Sequence, residues 1–354
     1  MLIPAAVATL VAMVLLWPAR PHLATGGGDS GGTQALGTVT ALAGGAASVK
    51  VTSGPGTGSS TTVDLPSGPG APTLHRGDGV VLLYSPDAVP GGRDYVVTDR
   101  QRTTPLVWLL VLSGAAVLAF GRLRGLSSLA GLAVSFVILL FFVIPALLDG
   151  SPPLLIAVVG ASAIMFAALY LTHGVTVQTS VAIAGTLASL ILTGILGVAF
   201  TAALHLTGVA AEEDSFLSAT LGSVDMRGLL LAGIVIGALG VLGDVTVTQA
   251  ETVAELAALG VPSRRALYRA AGRVGRVHAA SAVSTIVLAY AGGSLPLLLL
   301  IAAGDQPIGS LLTGQFLAQE IMRSAVGTIG LVASVPITTA LATVVAEIAP
   351  PPSL

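Results

Sequence analysis

The chain has 354 residues, of which 54% are hydrophobic and 9% are charged, against about 25% charged in an ordinary soluble domain. A soluble protein needs charged groups to cover its surface, so most of this surface is expected to face lipid or other apolar helices. The net charge of −2 argues against nucleic acid as a partner, and the lack of cysteine excludes disulfides, thiolate catalysis and cysteine-ligated metals.

Eight apolar runs have about the length that crosses a bilayer, whose hydrocarbon core requires roughly 20 apolar residues in a helix. The runs lie at about 2–17, 105–120, 126–148, 153–172, 178–204, 227–243, 279–303 and 324–346. The first run is short and lacks a basic region and a clear cleavage site, so residues 1–17 are interpreted as an uncleaved membrane anchor, with a cleaved signal peptide as the alternative. The predicted fold class is an all-α polytopic membrane bundle.

Residues 18–36 are rich in glycine and are typical of a flexible linker. Five short β-branched or alternating runs follow within residues 37–104, separated by turn residues. The runs are Gly37–Leu42, Ser48–Thr52, Ser60–Leu65, Gly79–Tyr84 and Tyr95–Thr98. They predict a small all-β barrel of the OB type. Some barrels of this type bind oligosaccharides or nucleic acids, but a folded spacer or assembly module is the favoured interpretation because a fold alone assigns no function.

The distribution of charge in the loops predicts the orientation. On one side of the membrane the loops carry Arg122, Arg124, Arg264, Arg265, Arg269, Arg273 and Arg276. On the other side they carry Asp149, Glu212, Glu213, Asp214 and Asp305. Cytoplasmic loops are enriched in Lys and Arg. Both termini are therefore expected in the cytoplasm, and residues 18–104 outside it.

The largest cytoplasmic loop, residues 245–278 of the seven-span domain 105–348, is predicted to be helical. One helix covers Thr248–Leu259 and stops at Gly260 and Pro262, and a second begins with Ser263 as its N-cap and runs to about His278. Arginines near an anionic leaflet favour an amphipathic helix that lies on the membrane surface. Orienting the protein is sufficient reason for these arginines.

Ionisable residues inside spans are costly and are functional candidates by default. Asp225 and Arg227 form an outer-edge polar pair at one end of span six, expected to anchor it near the headgroups. Asp244 lies at the other end, about 28 Å away along a helix. One helix face carries Gly233, Gly237, Gly240, Asp244, Thr248 and Glu251, and span five offers a partner face of Gly185, Ser189, Thr193 and Gly197. Tight packing explains the glycines but not Asp244.

Several polar groups are expected at the depth of Asp244. The candidates for an ion or proton site on the cytoplasmic side are Asp244, Thr248, Gln249, His173, His278 and Ser281. Carboxylate and imidazole groups suit a proton relay because modest burial moves their pKa toward 7. The alternative is that both histidines cap helix ends at the interface.

Two spans contain helix breakers. Gly292, Gly293 and Pro296 are predicted to interrupt span seven, and Pro336 to interrupt span eight. Discontinuous helices expose backbone groups to substrate in many transporters, although plain kinks are also common. Before span eight, Leu311–Arg323 is interpreted as an amphipathic or re-entrant helix in which Glu320 and Arg323 pair at i, i+3.

The region from about residue 100 to 346 resembles the YibE/F family. The resemblance rests on GRLRG at 121–125, YLTHG at 170–174, DMRGLLLAGIVIGALGVLGDVTVTQ at 225–249, His278, Ser281, LAYAG at 288–292, LP at 295–296 and VPITT at 335–339. It implies a multi-pass protein of the bacterial inner membrane and brings no mechanism with it. Members often carry an aspartate where Gly243 stands and an acidic residue where Val277 stands, so this chain has a thinner acidic cluster.

The sequence contains no Gly-x-Ser-x-Gly, His-Glu-x-x-His or phosphate-loop motif, so no enzyme activity, cofactor or metal is expected. The first functional hypothesis is a transporter or permease for an ion or small molecule, with Asp244 as its central polar group. The second is a non-transporting assembly or accessory protein whose external β domain recruits a partner. The expected partners are the lipid bilayer, an ion or small molecule, and a second copy of the chain or another membrane protein.

Overall fold

The computed structural model describes residues 2–18, 33–68, 71–85, 94–209, 215–217, 219, 224–302 and 314–346. The chain forms two compact units. One unit is His22–Arg122, and the other combines Met1–Pro21 with Leu123–Leu354. Most of the predicted linker lies outside the described residues.

The first unit is built on a curled, antiparallel five-stranded sheet, a half-barrel. Its strands are β1 (Thr33–Ala43), β2 (Ala46–Ser53), β3 (Ser60–Asp64), β4 (Gly79–Tyr84) and β5 (Tyr95–Arg100), in the spatial order β3-β2-β1-β4-β5. All five predicted strands are confirmed. The linker prediction is wrong at its end, because residues 33–36 pair with β4 and extend β1.

Alternation along the strands produces the core of the half-barrel. Every second residue of β1, β2 and β4 points inward, which buries Val39, Val49 and Leu82 almost completely. The hydroxyl of Tyr95 on β5 donates a 2.8 Å hydrogen bond to the Pro55 carbonyl in the turn before β3. Tyr95 therefore joins the edge strand β5 to the other end of the sheet.

The second unit is helical. The helices along the chain are α1 (Ile3–Leu15), α2 (Thr103–Ile138, which begins in the first unit), a π-helical turn (Leu139–Val143), α3 (Ile144–Leu148), α4 (Pro153–His173), α5 (Val177–Ala203), α6 (Met226–Ala258), α7 (Arg264–Gly293), α8 (Leu295–Ala302) and α9 (Gln315–Val345). Within the described residues, six helices are long and apolar enough to cross a membrane. Helix α1 has 13 residues and, at about 20 Å, is shorter than the hydrocarbon core.

One of these six candidates is too long for a single crossing. The continuous helical stretch Thr103–Leu148 has 46 residues, which corresponds to about 69 Å. At Arg122 the backbone leaves helical geometry, with φ 50° and ψ −127°. The break divides the stretch into two lengths that correspond to the predicted spans 105–120 and 126–148. Between them lies a one-residue break where the sequence had predicted a loop.

Helix α6 occupies the centre of the bundle, in contact with α4, α5, α7 and α9. Its apolar residues Val235, Leu242 and Val245 are buried in the main core. Helix α5 packs on both α6 and α9, and α7 covers α6 and α9 from one side. The helix ends His173, Ala258, Arg264 and Val345 lie together, and we call this the arginine end of the bundle.

The predicted separate cytoplasmic helices are continuations of the spans. Helix α6 runs without a break to Ala258, and α7 runs from Arg264 to Gly293, so no surface-lying helix ends at His278. No helix breaker stands between Ser263 and Gly292 strong enough to stop α7. The N-cap is confirmed, since the Ser263 hydroxyl accepts a hydrogen bond from the Ala266 amide.

The predicted helix breaks are half right. Helix α7 ends at Gly293, and α8 begins at Leu295 immediately before Pro296, which confirms an interruption of span seven. Helix α9 runs from Gln315 through Pro336 to Val345. The predicted break at Pro336 is wrong, because proline removes one N–H but keeps a helical φ. The predicted re-entrant segment is, over its described residues, the first turns of α9 and the glycine before them.

Candidate functional site

A seam of small and hydroxyl residues joins α5 to α9. Helix α5 carries Gly185, Ser189 and Thr193, and α9 carries Gly330, Ser334 and Thr338, so the two helices share the pattern Gly-x₃-Ser-x₃-Thr. All six residues are buried. A Cβ on Gly185 would overlap Thr338, and a Cβ on Gly330 would overlap Thr193.

The two copies of the pattern therefore run antiparallel, with each glycine facing a threonine. Close approach through small residues is a standard way for apolar helices to associate. The Ser189 and Thr193 hydroxyls donate to carbonyls of their own helix, at 2.8 Å each, whereas the Thr338 hydroxyl has no partner among the described residues. Span six was the predicted partner of this α5 face. The prediction is wrong for Gly185 and Thr193, which meet α9, and holds for Gly197, which packs against Leu231 of α6.

A second polar contact fixes the centre of the bundle near the arginine end. Gln249 of α6 is buried, and its Nε2 donates to the Ala271 carbonyl of α7 at 3.1 Å and to Thr339 Oγ1 of α9 at 2.7 Å. Gly275 provides the space, since a Cβ there would overlap the Gln249 amide oxygen. One side chain thus links three helices. Gln249 is a structural link and does not face an open vestibule.

Helix α6 is also tied to α5. The Thr186 and Thr246 hydroxyls lie 2.6 Å apart, and both side chains are fully buried. Together, Thr246 and Gln249 give α6 polar contacts to α5, α7 and α9. These three side chains all have hydrogen-bond partners inside the bundle, as most buried hydroxyl and amide groups do.

The opposite face of α6 is open. Asp244, Thr248 and Glu251 are exposed. Nothing lies within 4 Å of a Cβ added to Gly240, one turn from Asp244. The predicted face of glycines and polar residues therefore exists, but over Gly240, Asp244, Thr248 and Glu251 no other helix covers it within the described residues. We call these four residues the open stripe.

Groups from two other helices reach the same face of α6 further from the arginine end. A Cβ on Gly237 would lie 2.8 Å from Tyr290 Oη of α7, and one on Gly233 would lie 3.7 Å from Arg323 Nη1 of α9. Arg323 forms an ion pair with Glu320, with 3.6 Å between Nη2 and Oε1. Gly237 leaves room for the Tyr290 side chain, whereas a Cβ at Gly233 would make only an ordinary contact with Arg323.

Glu320, Arg323 and Tyr290 were not among the sequence-predicted site residues. Glu320 and Arg323 were expected to pair, but in a segment before the span, and the structure places them on α9, five and eight residues after its first residue Gln315. A charged pair at i, i+3 inside an apolar helix was the available signal. Nothing in the sequence pattern identified Tyr290, because a lone tyrosine is common in apolar helices.

Contacts with α4 locate Asp244 along the bundle. A Cβ on the neighbouring Gly243 would lie 3.5 Å from Met165 Cε, and α4 continues from Met165 to His173 at the arginine end. Those eight residues correspond to about 12 Å. Asp244 therefore lies about 12 Å from the end of α4, deeper than its position near the end of the apolar run indicated. His173 does not share its depth.

His278 and Ser281 lie closer to the depth of Asp244. Helix α7 runs antiparallel to α6, and Gln249 meets α7 between Ala271 and Gly275. Counted five residues from this contact, away from the arginine end on both helices, Asp244 of α6 lies level with His278 of α7. Both side chains are exposed, and no hydrogen bond or ion pair in the described ranges connects them. The Ser281 hydroxyl bonds only the Val277 carbonyl of its own helix, at 3.5 Å.

The outer-edge residues Asp225 and Arg227 have separate roles. Asp225 is the N-cap of α6, and its Oδ1 accepts a 3.1 Å hydrogen bond from the Arg227 amide. The Arg227 guanidinium donates from Nε to the Leu206 carbonyl at 3.0 Å. They hold the start of α6 against the segment after α5, and no side-chain ion pair between them is present.

The family comparison covers the helical part of the chain. A family model described as YibE/F-like protein matches residues 109–348, which is more than half of the chain. The chain belongs to the YibE/F-like family. The family resemblance of the sequence is confirmed, and the matched region of this YibE/F-like chain contains the α5–α9 seam, Gln249 and the open stripe. The comparisons with curated proteins and with solved structures gave no match.

Within the described ranges of this YibE/F-like protein, no group of three or more His, Asp or Glu side chains is arranged to hold a metal ion. The polar groups of the helical unit instead form a buried set that links helices and an exposed set along α6. Of these two sets, the one along α6 is exposed at the surface of the bundle.

Proposed function

We propose that the chain is a permease-like protein of the bacterial inner membrane that moves an ion or small polar solute along the face of α6 that carries the open stripe. The polar path begins at Glu320, Arg323 and Tyr290, passes the open space at Gly240, and continues to Asp244. Thr248 and Glu251 then extend it to the arginine end. Asp244 is the central group of this path.

The exposure of Asp244 at depth is the observation that carries the proposal. Asp244 lies about 12 Å inside the end of α4, on a face that no described helix covers. Inserting an aspartate at the centre of a spanning helix costs about 2.5–3.5 kcal/mol. The cost falls toward the headgroups, so Asp244, which lies level with His278 and close to the depth of Arg276, bears only part of it. A water-filled cavity at the open stripe would remove most of that cost, and a cavity of this kind is what a permease requires.

The interrupted helix supports the same interpretation. Helix α7 ends at Gly293 and α8 begins at Leu295, close in sequence to Tyr290. The break is one residue long, and the Ser294 amide still donates to the Tyr290 carbonyl at 3.0 Å. Many transporters have longer helix breaks next to their substrate. The polar path and the helix break thus fall in the same part of α7.

The proposed topology has eight crossings, with α1 as an anchor and the Arg122 break separating the second and third. The arginines of α7 favour the cytoplasm for the arginine end, which places both termini inside and the β unit outside. In that unit β1 lies between β2 and β4, so the first four strands follow Greek-key order. Five strands in a partly open Greek-key barrel are the OB architecture, which supports an OB-type assignment.

Cysteine accessibility tests the cavity directly, because the chain has no native cysteine. We expect single cysteines at Gly240, Asp244 and Thr248 to react with a membrane-impermeant methanethiosulfonate reagent. The matched controls are Ile191→Cys and Ile195→Cys on α5, whose side chains are 59% and 61% exposed and should face lipid. If the cysteines on the open stripe react as slowly as the two controls on α5, the stripe does not line a water-filled path.

Transport itself is tested with protons as the probe. Liposomes containing the purified chain and a trapped pH-sensitive dye should dissipate an imposed pH gradient, and Asp244→Asn should slow this at least tenfold. Glu255→Gln, the same chemical change at an exposed position beyond the stripe, should not. An Asp244→Asn protein that inserts normally and conducts protons like the wild type would remove Asp244 from the mechanism.

The second candidate function is a non-transporting accessory protein whose β unit recruits a partner. The separate core of that unit favours it, because Val39, Val49 and Leu82 pack without help from the helices. Deleting residues 37–99 should then abolish the cellular function while Asp244→Asn leaves it intact. The reverse pattern supports the permease.

A further inference from the structure

We propose that the cleft between α7 and α9 binds one anionic phospholipid at the arginine end of the bundle. The cleft has a volume of about 690 Å³ and is lined by Arg269, Arg273 and Arg276 of α7 and by Val332 of α9, among others. It lies on a different side of α7 from His278 and the open stripe. The inference depends on the membrane setting of the helices but not on transport.

The positive charge of the cleft favours an anionic ligand. Arg269, Arg273 and Arg276 follow at steps of four and three, so they share one face of α7. All three are exposed, none forms an ion pair in the described part of the chain, and no acidic side chain lines the cleft. Guanidinium groups bind phosphate through paired N–H donors. Three of them in one cleft provide a phosphate site with no competing internal partner.

The deeper part of the cleft is apolar and favours a ligand with an apolar tail. Val283 of α7 and Val332 of α9 line it away from the arginines. Val283 lies seven residues beyond Arg276, about 10 Å further into the bundle. A ligand that fills the cleft must therefore be anionic at one end and apolar over roughly that length. A free phosphate ion satisfies only the first requirement, whereas a phospholipid satisfies both.

The position of the cleft agrees with a lipid headgroup site. Thr339 lines its wall and also accepts the hydrogen bond from Gln249, which lies level with Ala271 near the arginine end. Val332 is 51% exposed, so the wall is open to the side, where acyl chains would enter. Basic pockets between spanning helices at the cytoplasmic side are a recurrent means of binding anionic headgroups.

Lipid retention by the purified full chain tests the proposal. The protein in neutral detergent is offered equimolar phosphatidylglycerol and phosphatidylcholine, and bound lipid is counted by native mass spectrometry. We expect one phosphatidylglycerol per chain, preferred at least tenfold. Arg273→Gln with Arg276→Gln should reduce the preference to less than twofold. Arg264→Gln with Arg265→Gln, which removes the same charge from α7 outside the cleft, should leave it unchanged.

Two further arms separate a lipid site from a general anion site. Val332→Trp fills the apolar part while keeping every arginine, and it should reduce phosphatidylglycerol retention at least fivefold. Inorganic phosphate and glycerophosphoglycerol, which lack acyl chains, should not raise the melting temperature as phosphatidylglycerol does. Equal stabilisation by the free headgroup would overturn the proposal, and so would an equal loss in the two arginine pairs or an unaffected Val332→Trp protein.

Discussion

The two units of this chain distribute polar and apolar residues in opposite ways. In the β unit the interior is apolar, with Val39, Val49 and Leu82 buried and the hydroxyl-rich faces exposed. In the helical unit Thr186, Ser189 and other hydroxyl residues are fully buried, while Ile191 and Ile195 are more than half exposed. The β unit therefore has the residue distribution of a protein in water, and the helical unit has that of a protein in lipid.

The difference lies in what drives each core together. The strands exclude water from valine and leucine, so burial itself stabilises the sheet. Between apolar helices in lipid that driving force is absent, and close contact through small residues with a few hydrogen bonds takes its place. The β unit should therefore be sensitive to lost apolar contacts, and the helical unit to lost space and lost polar links.

The largest expected effect is the addition of one methyl group to the α5–α9 seam. Gly330→Ala would force its Cβ onto Thr193, and overpacking of a tight contact costs about 1–3 kcal/mol. Gly327→Ala, one turn earlier on α9, meets nothing within 4 Å and should be neutral or slightly stabilising. Thermal unfolding of the full chain in detergent, followed by helical circular dichroism, measures both.

A compensating change sharpens this test. Adding Thr193→Ala to Gly330→Ala removes the group that the new methyl meets and should restore most of the lost melting temperature. If the double variant melts no higher than the single one, the seam contact is not the cause. If Gly330→Ala melts like Gly327→Ala, space between α5 and α9 does not limit the stability of the bundle.

A smaller effect is expected at the polar link. Gln249→Leu removes the hydrogen bonds to the Ala271 carbonyl and Thr339, and interhelical hydrogen bonds of this kind contribute about 0.6–2 kcal/mol. Thr248→Val, one residue away on the exposed face, should change the stability by less than about 0.5 kcal/mol. The same melting experiment compares them, and equal effects would mean that Gln249 does not link the helices.

The smallest effect concerns Tyr95 in the β unit. Tyr95→Phe removes the 2.8 Å hydrogen bond to the Pro55 carbonyl, worth about 1 kcal/mol. Burial, followed by the nearby Tyr84 and Asp94, raises the pKa of Tyr95 above its ordinary 10.0. The unfolded chain then ionises first, so the stability of the unit is complete below pH 10 and falls as the pH rises toward the folded value.

A single cysteine at the fully buried Ala47 reports opening of the β unit through its alkylation rate. Below pH 10 the Tyr95→Phe background should react about fivefold faster than the background with the native tyrosine, because 1 kcal/mol corresponds to that ratio. Above pH 10 the two rates should converge. A constant ratio across this range would exclude ionisation of Tyr95 as a source of instability.

The sequence predicted the β strands well because each run is alternating or β-branched and is bounded by glycine, proline or aspartate. It predicted where apolar helices lie but not where they end. Beyond Asp244 no glycine or proline occurs before Gly260, so α6 continues to Ala258 although the apolar run has stopped. Hydropathy identifies only the part of a helix that is suited to lipid. Capping residues mark where a helix begins or ends, as the N-cap Ser263 does for α7.

The candidate site was predicted in part for a similar reason. Spacing along α5 identified a face of small residues, but spacing within one helix contains no information about the partner, and the partner is α9. Asp244 and Gln249 were predicted to belong to one site, but Asp244 is exposed whereas Gln249 on the same helix points inward. A shift of five residues, or about 140° around the helix, separates their directions.

The antiparallel pairing of Gly185 with Thr338 also sets the order in which the protein can be completed. Its two halves are about 150 residues apart in the chain, and ribosomes add roughly 5–20 residues per second. For roughly 8 to 30 seconds after α5 has been made, its Gly185, Ser189 and Thr193 have no matching surface. Newly inserted helices must be held by the insertion machinery or by transient contacts during that interval, and α9 then closes the seam.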